Sequence, residues 1–160
     1  MKDVFTVKRS EDGDDVLKKL NNSFLHTTVL GDESKTLEDT DCGIIVYGAD
    51  LTSARTLVLP NASEGLHFKV IFAASWTTDT TLKINAPDGE LLKGSVSWFD
   101  FGTDDAISDS DIVANGSSND FLNLADDIKA GSFIEFYSTS SYWVVTGKIY
   151  SDVAPAFADS

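Results

Sequence analysis

Residues 66–73 read Leu-His-Phe-Lys-Val-Ile-Phe-Ala, and residues 132–137 read Ser-Phe-Ile-Glu-Phe-Tyr. In both stretches large apolar residues recur at every second position. Successive side chains of a strand point to opposite faces, so this alternation predicts two β-strands that each bury one face. In the second stretch it predicts that Phe133, Glu135 and Tyr137 share the face opposite the core.

Short apolar runs bounded by Gly, Pro, Asn, Asp and Ser predict six further strands. They lie near residues 43–47, 55–59, 80–85, 91–98, 121–125 and 142–150. Segments with helical periodicity are absent between these runs, so parallel βαβ units are not expected. The sequence predicts an all-β fold, a single antiparallel β-sandwich or β-barrel of about eight strands. The predicted core includes Ile45, Leu57, Leu59, Phe68, Val70, Phe72, Leu82, Ile84, Phe136 and Trp143.

The net charge is distributed unevenly along the chain. Residues 1–35 hold six basic and seven acidic residues, a net of −1, whereas residues 36–160 carry the remaining −13. This difference predicts an N-terminal arm over residues 1–35 and a β-domain over residues 36–160. The alternative is that residues 1–35 form a first hairpin and a surface helix packed on the same domain.

Two patterns within the predicted arm indicate contacts with a partner. Phe5 and Val7 alternate with polar residues and predict a short strand that could add to a neighbouring sheet. A second apolar set follows Asp14, a suitable N-cap, and its spacing predicts one face of a short amphipathic helix. Its members are Val16, Leu17, Leu20 and Phe24, with Leu25 beside them.

Two aromatic residues outside the arm are further candidates for an interface. Trp76 lies in a polar segment that is typical of a loop, and Phe101 lies near the start of a long acidic connection over residues 99–120. Large apolar side chains at loop positions either plug the domain's own core or anchor a partner. The sequence leaves both roles open for Trp76.

Composition and motifs argue against several function classes. A net charge of −14 disfavours binding to nucleic acid, and no apolar run reaches the roughly 18–20 residues that a membrane helix requires. His26 and His67 are isolated, Cys42 is flanked by a carboxylate, and motifs for a nucleophile or a phosphate loop are missing. We therefore expect no enzymatic activity, no catalytic residues and no cofactor.

The acidic connection superficially resembles a calcium loop. An EF-hand loop needs an oxygen ligand at its fifth position and Gly at its sixth, where this chain has Val113 and Ala114. No metal site is predicted. A looser divalent-cation site stays open among Asp104, Asp105, Asp109 and Asp111.

An ordered series of Gly and Leu-Pro positions characterises the β-domain. The series runs through Leu37-x-x-x-Asp41-x-Gly43, Thr56-Leu-Val-Leu59-Pro60, Glu64-Gly65-Leu-His-Phe68, Trp143-Val-Val-Thr-Gly147 and Pro155-Ala-Phe157-Ala-Asp159. Over residues 36–160 the chain resembles the small β-domains of head decoration (cement) proteins, and of fibre-associated proteins, from tailed bacteriophages.

This resemblance implies a non-enzymatic structural virion protein. Such a protein binds the major capsid protein, is commonly a trimer, lies on the outer capsid surface and is made in the host cytoplasm. The alternative is a receptor- or carbohydrate-binding module of a phage fibre or spike. Trp76 and the connection over residues 99–120 would then be its contact surface.

Overall fold

The computed structural model of the chain describes residues 26–77, 79–100, 108–125 and 127–159. These residues form twelve β-strands and one short 3₁₀ helix, Asp39–Asp41. The all-β prediction is confirmed. The strands are β1 (Thr27–Leu30), β2 (Lys35–Thr36), β3 (Gly43–Tyr47), β4 (Arg55–Val58), β5 (His67–Phe72), β6 (Thr81–Asn85), β7 (Leu91–Asp100), β8 (Ser108–Val113), β9 (Phe121–Ala125), β10 (Phe133–Ser138), β11 (Tyr142–Ser151) and β12 (Ala156–Ala158).

The strands form two separate sheets rather than one closed barrel. The seven-stranded sheet has the order β1-β3-β5-β10-β11-β7-β8, and the five-stranded sheet has the order β12-β9-β6-β4-β2. All eight predicted segments are strands. The prediction of about eight was too low, because β1, β2, β8 and β12 are short or polar strands at the sheet edges.

The prediction of purely antiparallel pairing was wrong. From β1 to β7 the chain alternates between the two sheets, so β1, β3 and β5 are parallel neighbours in one sheet and β2, β4 and β6 in the other. Parallel neighbours need a crossover connection, which is usually a helix. Here a strand of the opposite sheet supplies it, so the lack of helical segments did not exclude parallel pairs.

A single hydrophobic core receives side chains from one face of each sheet. On β5 the alternation buries Phe68, Val70 and Phe72, and on β10 it buries Ile134 and Phe136. All ten predicted core residues are buried. The opposite face of β5 and β10 carries the partly exposed residues, as the period-2 pattern predicted.

The β-domain begins earlier than predicted. Strand β1 pairs with β3, Leu30 is buried in the core and β2 pairs with β4, so residues 27–35 belong to the sheets and not to an arm. The predicted strand and helix of the arm fall within residues 1–25, outside the described residues.

The acidic connection also contains more structure than predicted. Strand β7 extends to Asp100, and residues 108–113 form β8, an edge strand antiparallel to β7. Its Ser-Asp-Ser-Asp start is polar because an edge strand has one exposed face and one unpaired side, where charges prevent pairing with other chains.

Candidate interaction surface

The face of the seven-stranded sheet that points away from the core, here called the outer face, concentrates exposed apolar side chains. Five large apolar residues are exposed in the described part of the chain. Four of them lie on this face, namely Val29 (68% exposed), Ile44 (37%), Val113 (65%) and Tyr137 (42%), whereas Val153 (39%) follows β11. Exposed apolar side chains gathered on one face are typical of a surface that binds another protein.

Four of the outer-face residues are cross-strand neighbours and form what we call the apolar row. Strand register places Val29 beside Val46, Val46 beside Ile71, and Ile71 beside Phe133. Val29 is exposed and the other three are half-buried. Ile44 lies in the adjacent register row, beside Lys69. The row therefore gives a continuous apolar strip across β1, β3, β5 and β10.

A polar cluster centred on Glu135 adjoins the apolar row. Its carboxylate accepts a hydrogen bond from Lys69 Nζ at 2.7 Å and another from the Tyr137 hydroxyl, and His67 Nε2 lies 3.6 Å away. The Lys69 hydrogen bond, followed by that from Tyr137, lowers the pKa of Glu135, and the same carboxylate raises the pKa of Tyr137. The cluster therefore keeps its one carboxylate ionised beside a cation.

Over the residues that the structure describes, the outer face is formally neutral, on a chain of net charge −14. Each of its three lysines has its ammonium over an aromatic ring, at 4.5 Å for Lys69, 4.2 Å for Lys93 and 5.7 Å for Lys148. Those rings belong to Phe133, Tyr142 and Phe99. The outer face also carries three carboxylates, on Glu135, Asp109 and Asp111. The neutral face weakens the local repulsion between two acidic molecules that approach through it, although the net charge of each molecule still repels the other.

The five-stranded sheet has a different outward face. Its outward positions on β6 and β9 include Thr81, Lys83, Asn85 and Asn123, and Lys83 covers the ring of Phe121 at 3.7 Å. None of the exposed large apolar residues of the described chain lies on its strands. The apolar exposure is thus a property of one sheet and not of the whole surface.

The structure places the predicted interface residue Trp76 in the core, which corrects that expectation. The side chain is 1% exposed, its ring meets Phe72 edge-on at 5.5 Å, and its backbone N–H donates to the carbonyl of Ile128 at 2.8 Å. A polar segment surrounds it in sequence, but a single large ring from that segment closes the core. Trp76 is therefore unavailable to a partner in this fold.

The other predicted interface residues lie outside the described residues and stay predictions. They are Phe5, Val7, Val16, Leu17, Leu20, Phe24 and Phe101. The outer face was missed because its members come from strands far apart in sequence. Only the alternation of buried and exposed positions in β5 and β10 indicated part of this face.

The side chain of Cys42 is hydrogen-bonded to the backbone of His67. The Cys42 thiol donates to the carbonyl of His67 at 3.2 Å, and the His67 N–H donates back to Cys42 Sγ at 3.3 Å. The imidazole stacks on the Tyr137 ring with centroids 4.4 Å apart, and its Nε2 makes no hydrogen bond. These contacts fix β3 against β5 and order the outer face.

The candidate cation ligands are only partly within the described residues. Asp109 and Asp111 lie on β8, where Asp111 accepts from Ser97 Oγ at 2.8 Å, and Asp104 and Asp105 lie outside. The described residues contain no group of three or more His, Cys, Asp or Glu side chains suited to a metal ion.

An open groove of about 600 Å³ lies at one end of the sheets. Its lining includes Leu37, Glu38, Leu59, Pro60 and Asn61. The lining has no aromatic and no basic side chain, so it offers neither a stacking platform for a sugar ring nor a cation for an anionic ligand.

Within the described residues, no helix has the length and apolar character needed to cross a membrane. No family model, curated protein or solved structure matches this chain.

Proposed function

We propose that this protein is a non-enzymatic structural protein of a phage virion, a decoration protein that binds the major capsid protein on the outer capsid surface and stabilises it. It acts as a homo-oligomer, in our proposal a trimer, and its two sheets pack as a β-sandwich. The resemblance of residues 36–160 to head decoration proteins motivates the proposal. The outer face supplies physical support.

The observation that carries this proposal is the neutral, apolar outer face on a strongly acidic chain. Protein interfaces are enriched in aromatic residues and depleted of charged residues at their centre. The outer face has the aromatic residues, with Phe133, Tyr137 and Tyr142 among its members, and the charges that it carries sum to zero. The remaining surface carries the negative charge, which keeps assembled particles from aggregating.

The alternative function, a receptor- or carbohydrate-binding module, has less support. Its predicted contact surface was Trp76 together with the connection over residues 99–120. Trp76 is buried, and residues 101–107 of the connection lie outside the described residues. The 600 Å³ groove has no aromatic lining to replace Trp76. We therefore rank the alternative second.

Co-sedimentation with capsids tests the proposal. Capsids of the phage that encodes the protein are first stripped of decoration protein. Purified full-length protein is added over a range of concentrations, and the amount that sediments with the capsids is measured. We expect saturable binding at a fixed ratio to the major capsid protein. Absence of binding, or saturation at only a few copies per capsid, would contradict the proposal.

A further inference from the structure

We propose that the apolar row of one copy binds residues 1–25 of a second copy. The inference rests on the proposed function in one respect, since both require several copies to assemble. The occupant is a segment of this same chain, and the acceptor is the strip formed by Val29, Val46, Ile71 and Phe133.

The outer face by itself is at the lower limit of size for a stable interface. Seven strands about 4.8 Å apart and about six residues long cover roughly 30 by 20 Å, or about 600 Å². Stable interfaces bury about 1,200–2,000 Å² in total, or about 600–1,000 Å² on each partner. A segment bound along the apolar row would add buried area to an outer face of this size.

Residues 1–25 begin beside the acceptor. The carbonyl of His26 accepts a hydrogen bond from the Ile44 N–H at 2.9 Å, so the segment joins the domain at the edge of the seven-stranded sheet. Twenty-five residues can span up to about 80 Å when extended, which exceeds the roughly 30 Å width of the sheet. The segment is long enough to reach a neighbouring copy and to follow the whole row.

The composition of the segment matches the acceptor. Residues 1–25 hold five basic and five acidic residues, so the segment is formally neutral while residues 26–160 carry the full −14. Its apolar residues include Phe5, Val7, Leu20 and Phe24. When a segment of zero net charge binds a face of zero net charge, the apolar residues of both bury nonpolar area, worth about 25 cal/mol per Å², with little net charge repulsion.

Isotope-coded cross-linking of the full-length protein tests the inference. Unlabelled and ¹⁵N-labelled protein are mixed, treated with an amine-reactive cross-linker and digested for mass spectrometry. The segment carries Lys2, Lys8, Lys18 and Lys19, and the outer face carries Lys69 and Lys148. We expect mixed light–heavy links between the two groups. Links formed only within one chain would overturn the proposal, because the segment would then cover its own sheet. Absence of any link between the two groups of lysines would also overturn it.

A matched pair of substitutions locates the acceptor. Val29 and Val113 are exposed to nearly the same extent, 68% and 65%, and lie on opposite edge strands of the same sheet, but only Val29 belongs to the apolar row. Val29→Glu should lower the yield of mixed links about tenfold, because a buried carboxylate replaces apolar contact. Val113→Glu should leave the yield unchanged. Equal losses, or no loss in either variant, would contradict the assignment.

Capsid binding separates this inference from the proposed function. If mixed links form in the wild type but the protein does not co-sediment with capsids, the function fails and the inference stands. If the protein binds capsids and mixed links are absent, the function stands and the inference fails.

Discussion

Glu135 organises the outer face at the scale of single residues. It binds Lys69 and Tyr137 at once, and His67 stacks on the same Tyr137 ring. Cross-strand pairing brings these groups together, because Glu135 lies opposite Lys69 and Tyr137 lies opposite His67 on the antiparallel strands β10 and β5.

Replacement of Glu135 by Gln should move the pKa of Tyr137. The carboxylate raises that pKa, so in Glu135→Gln it should fall toward about 10, the ordinary value for tyrosine. The measurement is NMR titration of the tyrosine ring carbons. Glu64→Gln, in an exposed turn, is the control and should leave Tyr137 unchanged. An unchanged Tyr137 titration in Glu135→Gln would show that the contact is not formed in solution.

The same variant gives a pH dependence of stability. The pKa of Glu135 is lowered in the folded state. The ionised carboxylate therefore stabilises the fold at pH values above its unfolded pKa of about 4.3. This stabilisation is lost as the pH falls through the folded pKa. The difference in unfolding free energy between wild type and Glu135→Gln should therefore shrink on acidification below about pH 4. Denaturant titrations at several pH values measure it, and a difference that grows on acidification would contradict the assignment.

The burial of Trp76 could not be predicted from the sequence. Its neighbours are polar, and only the tertiary fold determines that the ring turns inward against Phe72. Trp76→Ala should lower the unfolding free energy by about 3–5 kcal/mol, the usual cost of truncating a buried aromatic residue. Chemical denaturation measures the loss, and a change below about 1 kcal/mol would contradict the burial of Trp76.

At the scale of strands, sequence predicted the central elements and missed the edges. Alternation of apolar residues identified the eight inner segments because each buries one face. It could not identify β2, which has two residues, or β8, whose exposed positions are acidic. The strand order could not be predicted from the sequence either, because β5 pairs with β10 across about sixty intervening residues. The outer face depends on that order, so only its individual strand patterns were predictable.

Gly94 lies where β7 pairs in parallel with β11, and this position requires glycine. Its φ is +122°, a conformation that favours glycine, and an added Cβ would collide with the carbonyl of Val145 on the paired strand. Gly94→Ala should therefore lower the unfolding free energy by about 2 kcal/mol or more. Gly31→Ala is the control because an added Cβ there meets open space. Thermal and chemical denaturation should show Gly94→Ala to be less stable than Gly31→Ala, and equal stability would contradict the β7–β11 register.

At the scale of the molecule, charge and apolar area are segregated. The chain carries −14 in total, yet the outer face is neutral and holds four of the five exposed large apolar residues of the described chain. In our proposal, the protein binds its partners through this sheet and presents negative charge elsewhere.

This segregation predicts that salt favours assembly. Electrostatic repulsion between copies extends about 30 Å at 0.01 M salt and about 8 Å at 0.15 M. We expect the oligomeric fraction at fixed protein concentration to rise across that range, measured by light scattering. Assembly through ion pairs between copies would weaken over the same range.

Sedimentation velocity on two matched variants tests most directly whether the outer face is the assembly surface. Ile44 and Val153 are exposed to nearly the same extent, 37% and 39%, but only Ile44 lies on the outer face. The wild type and Val153→Glu should sediment as the same oligomer. Ile44→Glu should sediment as the 17.3 kDa single chain. If all three proteins sediment alike, or if Val153→Glu alone dissociates, the outer face is not the surface through which this protein assembles.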